Sequence, residues 1–171
     1  MEKVILSHIT QNTPQHIQHG FKTQHSTTTA LHQLTNKITL GFNQKPPPHR
    51  TIVVSPDLSK AFDTVNIHLL INKLHQTTVP TTLIKFTANY IKGRKGYTQF
   101  ENAKSRQQQF KTGVPQGGVL SPFLFNLYTS DIPKPPPGAS LTAYADDMNP
   151  AAPHPKYQTA EQSLQPYLND I

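Results

Sequence analysis

Tyr144-Ala145-Asp146-Asp147 is the stretch on which the reading of this chain turns. Two adjacent carboxylates follow a short apolar run (Leu141, Ala143, Tyr144) in a protein with nine acidic and sixteen basic residues. The run predicts a strand over 141–144 that ends where the acids begin. A chain so poor in acid that sets two side by side needs a reason. Binding a hard divalent cation, which prefers carboxylate oxygens, is the leading one. An Asp-Asp pair in an ordinary turn is the plain alternative, and the segments upstream bear on the choice.

The first of these is Ile52-Val53-Val54-Ser55-Pro56-Asp57-Leu58-Ser59-Lys60-Ala61-Phe62-Asp63. Its β-branched start predicts a buried strand, and Asp57 stands at the carboxyl end, where open sheets place ligands. The second is Gly113-Val114-Pro115-Gln116-Gly117-Gly118-Val119-Leu120-Ser121-Pro122. It reads as a flexible loop into a helix, with Ser121 suited to the N-cap and Pro122 to the first helical position.

Strand with Asp, Gly-rich loop into helix, strand ending in Asp-Asp: this order resembles motifs A, B and C of reverse transcriptases. The likeness is closest to the non-LTR retrotransposon (LINE) branch and its jockey-like elements. His19-Gly20-Phe21-Lys22-Thr23-Gln24-His25-Ser26-Thr27 resembles that group's GFR-x-x-x-ST signature. Residues 57–65 resemble DLSKAFDTV, residues 90–94 resemble Y-[IL]-x-G-R, and residues 113–125 resemble GVPQGGVLSPxLF. The resemblance runs over nearly the whole chain.

Helical periodicity appears at Ser26 to about Leu40 (Ala30, Leu31, Leu34, Ile38), with Ser26 as N-cap. It recurs at Ile67–Leu74 (Leu70, Ile71, Leu74) and at Thr81–Ile91 (Leu83, Phe86, Tyr90). Gly96–Thr112 predicts a hairpin, Ser121–Tyr128 a short apolar helix, and Thr159–Ile171 a last helix despite Pro166. Separated strands and long helices make the expected class α+β. The resemblance implies a single partial domain over 1–171, the palm with partial fingers of a right-hand polymerase, with the thumb absent. About 1–50 would be a fingers-side helical segment, about 51–150 the palm with its three motifs, and about 151–171 a tail helix. The family's endonuclease, first fingers segment, primer grip and thumb have no counterpart in the sequence, which reads as a fragment of a retrotransposon open reading frame.

Of the sixteen prolines, ten cluster at 46–48, at 133 with 135–137, and at 150, 153 and 155. The first two clusters read as stiff connectors. The third is ill suited to the strand that should follow Asp147, so Met148–Pro153 is expected to leave the hairpin weak on one arm. Pro56, immediately before Asp57, is poorly placed for a central strand.

The resemblance implies two-metal nucleotidyl transfer, in which a primer 3′ hydroxyl attacks the α-phosphate of an incoming nucleotide. Asp57 and Asp146 would ligate two Mg²⁺ ions (Mn²⁺ a substitute), with the Leu58 carbonyl as a further ligand and Asp147 an auxiliary acid beside the primer. Phe62 would lie under the nucleotide sugar and favour deoxynucleotides; by itself an aromatic there reads as core. Gln116 and Gly117 would meet the nucleotide, although a plain turn also explains them. Asp63 reads as structural. Lys92, Arg94 and Lys95 with Tyr90 and Tyr97 form a basic and aromatic patch for template or primer, or a solvated helix end. Lys22 and His25 fall where relatives often carry Arg. The implied partners are an RNA template, a DNA primer and deoxynucleoside triphosphates.

Composition agrees with this and excludes other classes. A net charge of +7 and a pI near 9.7 fit a partner with a phosphate backbone. The absence of Cys rules out disulfides and thiolate metal sites, and fits a reducing compartment. No apolar run approaches the roughly 20 residues that span a bilayer, and no secretory h-region is visible, so an intracellular setting is expected. His16 and His19 lack the companions of a zinc site. Neither G-x-S-x-G nor a Walker loop is present. The competing readings are a catalytically inactive, basic nucleic-acid-binding remnant and a fragment without stable function.

Overall fold

The computed structural model describes residues 2–10 and 18–171. Along the chain run α1 (Glu2–Thr10), α2 (Thr27–Phe42), β1 (Arg50–Val53), α3 (Ala61–Thr64), α4 (Ile67–His75) and α5 (Thr81–Ile91). Four two-residue strands follow: β2 (Lys95–Gly96), β3 (Gln99–Phe100), β4 (Ala103–Lys104) and β5 (Gln108–Gln109). Then come α6 (Ser121–Tyr128), β6 (Ser140–Tyr144), β7 (Asp147–His154) and α7 (Tyr157–Asp170). This mixture of helix and strand is the α+β class the sequence predicts. It divides into two compact units, one holding α1 and Lys60–Tyr128, the other residues 18–59 and Thr129–Ile171. His16, weighed above as a metal ligand, lies outside the described residues.

The second unit is built on a three-stranded antiparallel sheet in the order β1-β7-β6. Pleating sends alternate side chains to opposite faces. On one face Ile52 and Val54 join Ala152, and α7 covers them through Ala160 and Leu164. Further along, Leu141, Ala143 and Met148 pack with Leu58 and Ile132. The opposite face meets α2, whose start is fixed as expected: Ser26 Oγ accepts from the Thr29 amide, and the Thr29 hydroxyl accepts from the Ser26 amide. Removing such a cap costs about 1 kcal/mol.

The expectation for 148–153 is overturned: these residues form the central strand, paired on both sides. The reason lies in where each missing proline N–H points. The Val54 amide donates to the Pro150 carbonyl at 3.0 Å, so the polar groups of Pro150 face β1 and one bond at the end of that ladder is forgone. By the same alternation Pro153 faces β6, but that ladder stops at the pair Ser140–Ala151. Its missing donor costs no ladder bond. Pro56 is likewise harmless to the sheet, because β1 lies at an edge and ends at Val53.

In the first unit α4 buries Ile67, Leu70, Ile71 and Leu74, as its periodicity predicts. The limits of α5 also match, but its buried stripe is Ile84, Thr87 and Ile91 rather than Leu83, Phe86 and Tyr90, which are half-buried. Thr87 can sit inside because its hydroxyl donates to the Leu83 carbonyl at 2.8 Å. Apolar nearly all round, α6 is buried nearly all round. Ser121 opens that helix instead of preceding it, and its hydroxyl donates to the Pro115 carbonyl. The hairpin over 96–112 exists as two short ladders, β2 with β5 and β3 with β4.

Candidate active site

The β6–β7 hairpin closes on the pair Tyr144–Asp147, leaving Ala145 and Asp146 as a two-residue turn. Ala145 has φ 54° and is buried. Positive φ at the first central position of a two-residue hairpin is a feature of the primed turns whose twist suits paired strands. For an alanine it costs on the order of 1–3 kcal/mol and needs outside support. Gln18, a residue the sequence reading did not single out, supplies that support: its Oε1 accepts from the Ala145 amide at 2.7 Å and its Nε2 donates to the Ala145 carbonyl at 2.8 Å.

Strand alternation sets the direction of the acids. Asp147 shares a sheet face with Asn149, Tyr144 and Thr142, opposite to Met148 and Ala143. Asp57 comes to the same place from beyond β1, with Ser55 hydrogen-bonded to Asn149 just before it. Asp57 and Asp147 both line a cavity of about 380 Å³ whose other walls include Leu31 and Leu34 of α2. Asp146, exposed at the second turn position, is not part of that lining. Leu58 turns its side chain to the apolar cluster beneath the sheet.

The donor set suits an oxygen-seeking divalent cation. Asp57, Asp147, Ser55 and Asn149 all line the cavity. Thr142, which also lines the cavity, is 3% exposed, and its Oγ1 is buried without a hydrogen-bond partner among the described residues. Mg²⁺ is held by one or two carboxylates with water and substrate phosphates completing the shell. No group of three or more His, Cys, Asp or Glu close enough to cage an ion occurs among the described residues. The arrangement fits a cation shared with a substrate better than one fully caged by protein.

The other residues of interest lie in the first unit. Phe62 stacks on Phe125 with centroids 4.5 Å apart and planes 13° from parallel. Gln116 donates to Asp63 Oδ1 at 3.1 Å. The 112–114 segment is stitched to α3 and its C-cap residue: Val114 donates to the Phe62 carbonyl, Gly113 to that of Val65, and the Thr112 hydroxyl to that of Asp63, each at 2.8 Å. Gly117 takes φ 79° in the open. Arg94 spends its guanidinium on the carbonyls of Ile91, Thr112 and Gly113, whereas Lys92 and Lys95 are exposed. Burial above all, and then the Glu2 carboxylate, raise the pKa of the Tyr90 phenol. In the second unit, partial burial lowers the pKa of Lys22.

Residues 1–169 match the family model described as reverse transcriptase (RNA-dependent DNA polymerase). The chain is 32% identical over 165 residues to the probable RNA-directed DNA polymerase from transposon BS of Drosophila melanogaster, covering 92% of this chain and 18% of that protein. It is 31% identical over 140 residues to the corresponding protein from transposon X-element of the same fly, covering 80% and 15%. To the RNA-directed DNA polymerase from mobile element jockey it is 28% identical over 182 residues, covering 99% and 19%. The chain thus spans less than a fifth of the length of these relatives. With residues 1–169 matched by one family model, and with an aspartate just beyond β1, a Gly-rich loop entering α6 and an Asp-Asp hairpin along the chain, the protein belongs to the reverse transcriptase family, akin to its jockey-like, non-LTR retrotransposon branch.

Proposed function

We propose that this chain supplies the nucleotidyl-transfer centre of a retrotransposon RNA-directed DNA polymerase, with residues of about 51–150 as palm and about 1–50 as part of the fingers. The observation that carries the reading is that Asp57 and Asp147, from distant parts of the sequence, line one cavity. Asp57 and Asp147 would hold Mg²⁺ there, and Asp146, beside them on the turn, would approach it through the primer or nucleotide. When bound, the paired cations would lower the pKa of the primer hydroxyl and neutralise charge on the phosphate oxygens. Asn149 would orient water at the cavity wall. Phe62 would back the nucleotide sugar, Gln116 and Gly117 would meet its phosphates, and Lys22, Lys92 and Lys95 would carry the RNA template and DNA primer. The activity belongs to the relatives by name and is a proposal for this chain.

Primer extension on an RNA template with deoxynucleotides and Mg²⁺ or Mn²⁺ tests it, run beside Asp57→Asn, Asp146→Asn and Asp147→Asn. Metal-dependent extension that each substitution abolishes supports the proposal. The position of Asp146 outside the cavity lining favours a second reading, a basic nucleic-acid-binding remnant without catalysis. Salt-sensitive RNA binding without extension, indifferent to all three substitutions, would establish that one instead.

A further inference from the structure

Residues Gln18–Gly20 run along the outer edge of β6. Gln18 bridges to Ala143 in parallel fashion, and the His19 amide donates to the Ala143 carbonyl at 2.8 Å. One residue further on, a side chain takes over from the backbone. Gln18 is 8% exposed, and its Oε1 accepts from both Ala145 N at 2.7 Å and Gly20 N at 3.0 Å, while its Nε2 donates to Ala145 O at 2.8 Å. Exchanging O and N in that amide would set donor against donor twice and leave the carbonyl facing an oxygen. One orientation alone satisfies all three contacts. The amide thus occupies both backbone groups of a residue that sits in the turn, outside the β6–β7 ladder.

Gly20 makes the approach feasible. A Cβ placed there would lie 2.4 Å from Ala145 N and 3.0 Å from Ala145 Cα, atoms of backbone that cannot swing away. In a two-residue turn, rotation at the first central residue redirects the two that follow. Here those are Asp146 and Asp147.

We infer that Gln18 is a positioning residue for the acidic turn: its carboxamide, admitted by Gly20, holds Ala145 at positive φ and thereby aims Asp147 into the cavity it shares with Asp57. The inference rests on the proposed cation role of that cavity, and its test separates the two. Hydrogen exchange of the intact chain comes first: the Ala145 amide exchanges slowly beside its exposed neighbour Asp146, and a fast Ala145 amide overturns the clamp. Calorimetric titration with Mn²⁺ then compares the wild type with Gln18→Met, which keeps length and loses all three hydrogen bonds, and with Gln18→Glu. Loss of an outer-shell partner weakens metal binding by roughly 10–100-fold. That loss is expected in both variants while they still melt cooperatively. The Glu variant is the sharper arm, because an added negative charge by itself tightens a cation. Weaker binding there can come only from geometry, and binding as tight as wild type in the folded variants overturns the inference. Asp57→Asn is the control: if it leaves Mn²⁺ affinity unchanged, the cation reading falls, and Ala145 exchange in Gln18→Met still decides the clamp, fast exchange supporting it and unchanged exchange overturning it.

Discussion

The Ser55 hydroxyl donates to Asn149 Oδ1 at 2.6 Å, carrying the pairing of β1 and β7 past its last ladder residue, Val53. Asp57 is delivered to the cavity by this extension rather than by the strand itself. Ser55→Ala is therefore expected to cost only about 0.5–1.5 kcal/mol of stability yet to weaken Mn²⁺ binding by roughly 10-fold, as loss of an outer-shell partner does. Denaturant melts and calorimetric titration on the same samples check the contrast.

Gly113 adopts φ 84°, and a Cβ there would stand 2.8 Å from both the Cα and the carbonyl oxygen of Asp63. Gly113→Ala combines strain at positive φ with a clash against backbone, so a loss of roughly 2 kcal/mol or more is expected. Gly117→Ala, at a similar φ but with open space around it, should cost less. Equal losses in urea melts would contradict the account.

Arg94 and its neighbours in the basic patch should separate in behaviour. Arg94→Ala removes donors from the carbonyls of Ile91, Thr112 and Gly113 and should cost roughly 1.5–3 kcal/mol, the range for hydrogen bonds to a charged group. Lys92→Ala and Lys95→Ala should leave the melt alone and each reduce the salt slope of RNA binding by about 1. Filter binding at several salt concentrations, beside thermal melts, distinguishes them.

Burial raises the pKa of the Tyr167 phenol, whose hydroxyl donates to the Pro133 carbonyl at 3.0 Å. The unfolded chain releases this proton near pH 10, and the folded chain releases it later. The stabilisation is complete below that pH and is lost as pH rises through the raised folded value. Tyr167→Phe should be weaker by about 1 kcal/mol at neutral pH and show a shallower alkaline decline in melting temperature.

Much of the helical structure was legible because periodicity and caps are local. Ser26 announced α2, and Ile67 and Thr81 opened helices where the apolar pattern said they would. The central strand is hidden in the sequence for a physical reason: the cost of a proline depends on which neighbour its missing N–H would face, and the residue type alone does not carry that. For Pro153 that neighbour has already ended. The stripe of α5 was displaced because Thr87 hides its hydroxyl on the helix's own backbone, which composition cannot reveal. At the site, the residue types and order of the acids were readable. The cavity joining Asp57 to Asp147 and leaving out Asp146 was not, since it follows from the register between β1 and β7. Gln18 was invisible for a similar reason: a glutamine in a polar stretch acquires meaning only when Ala145 folds against it.

The overhang of β7 beyond β6 has a consequence for behaviour in concentrated solution. Strands that outrun their partner expose a template on which other copies can add and grow into filaments. The open flank of β7 falls at Pro153, whose ring offers no donor to an arriving strand. The residue that looked like an obstacle to pairing within the chain is, at that position, a guard against pairing between chains.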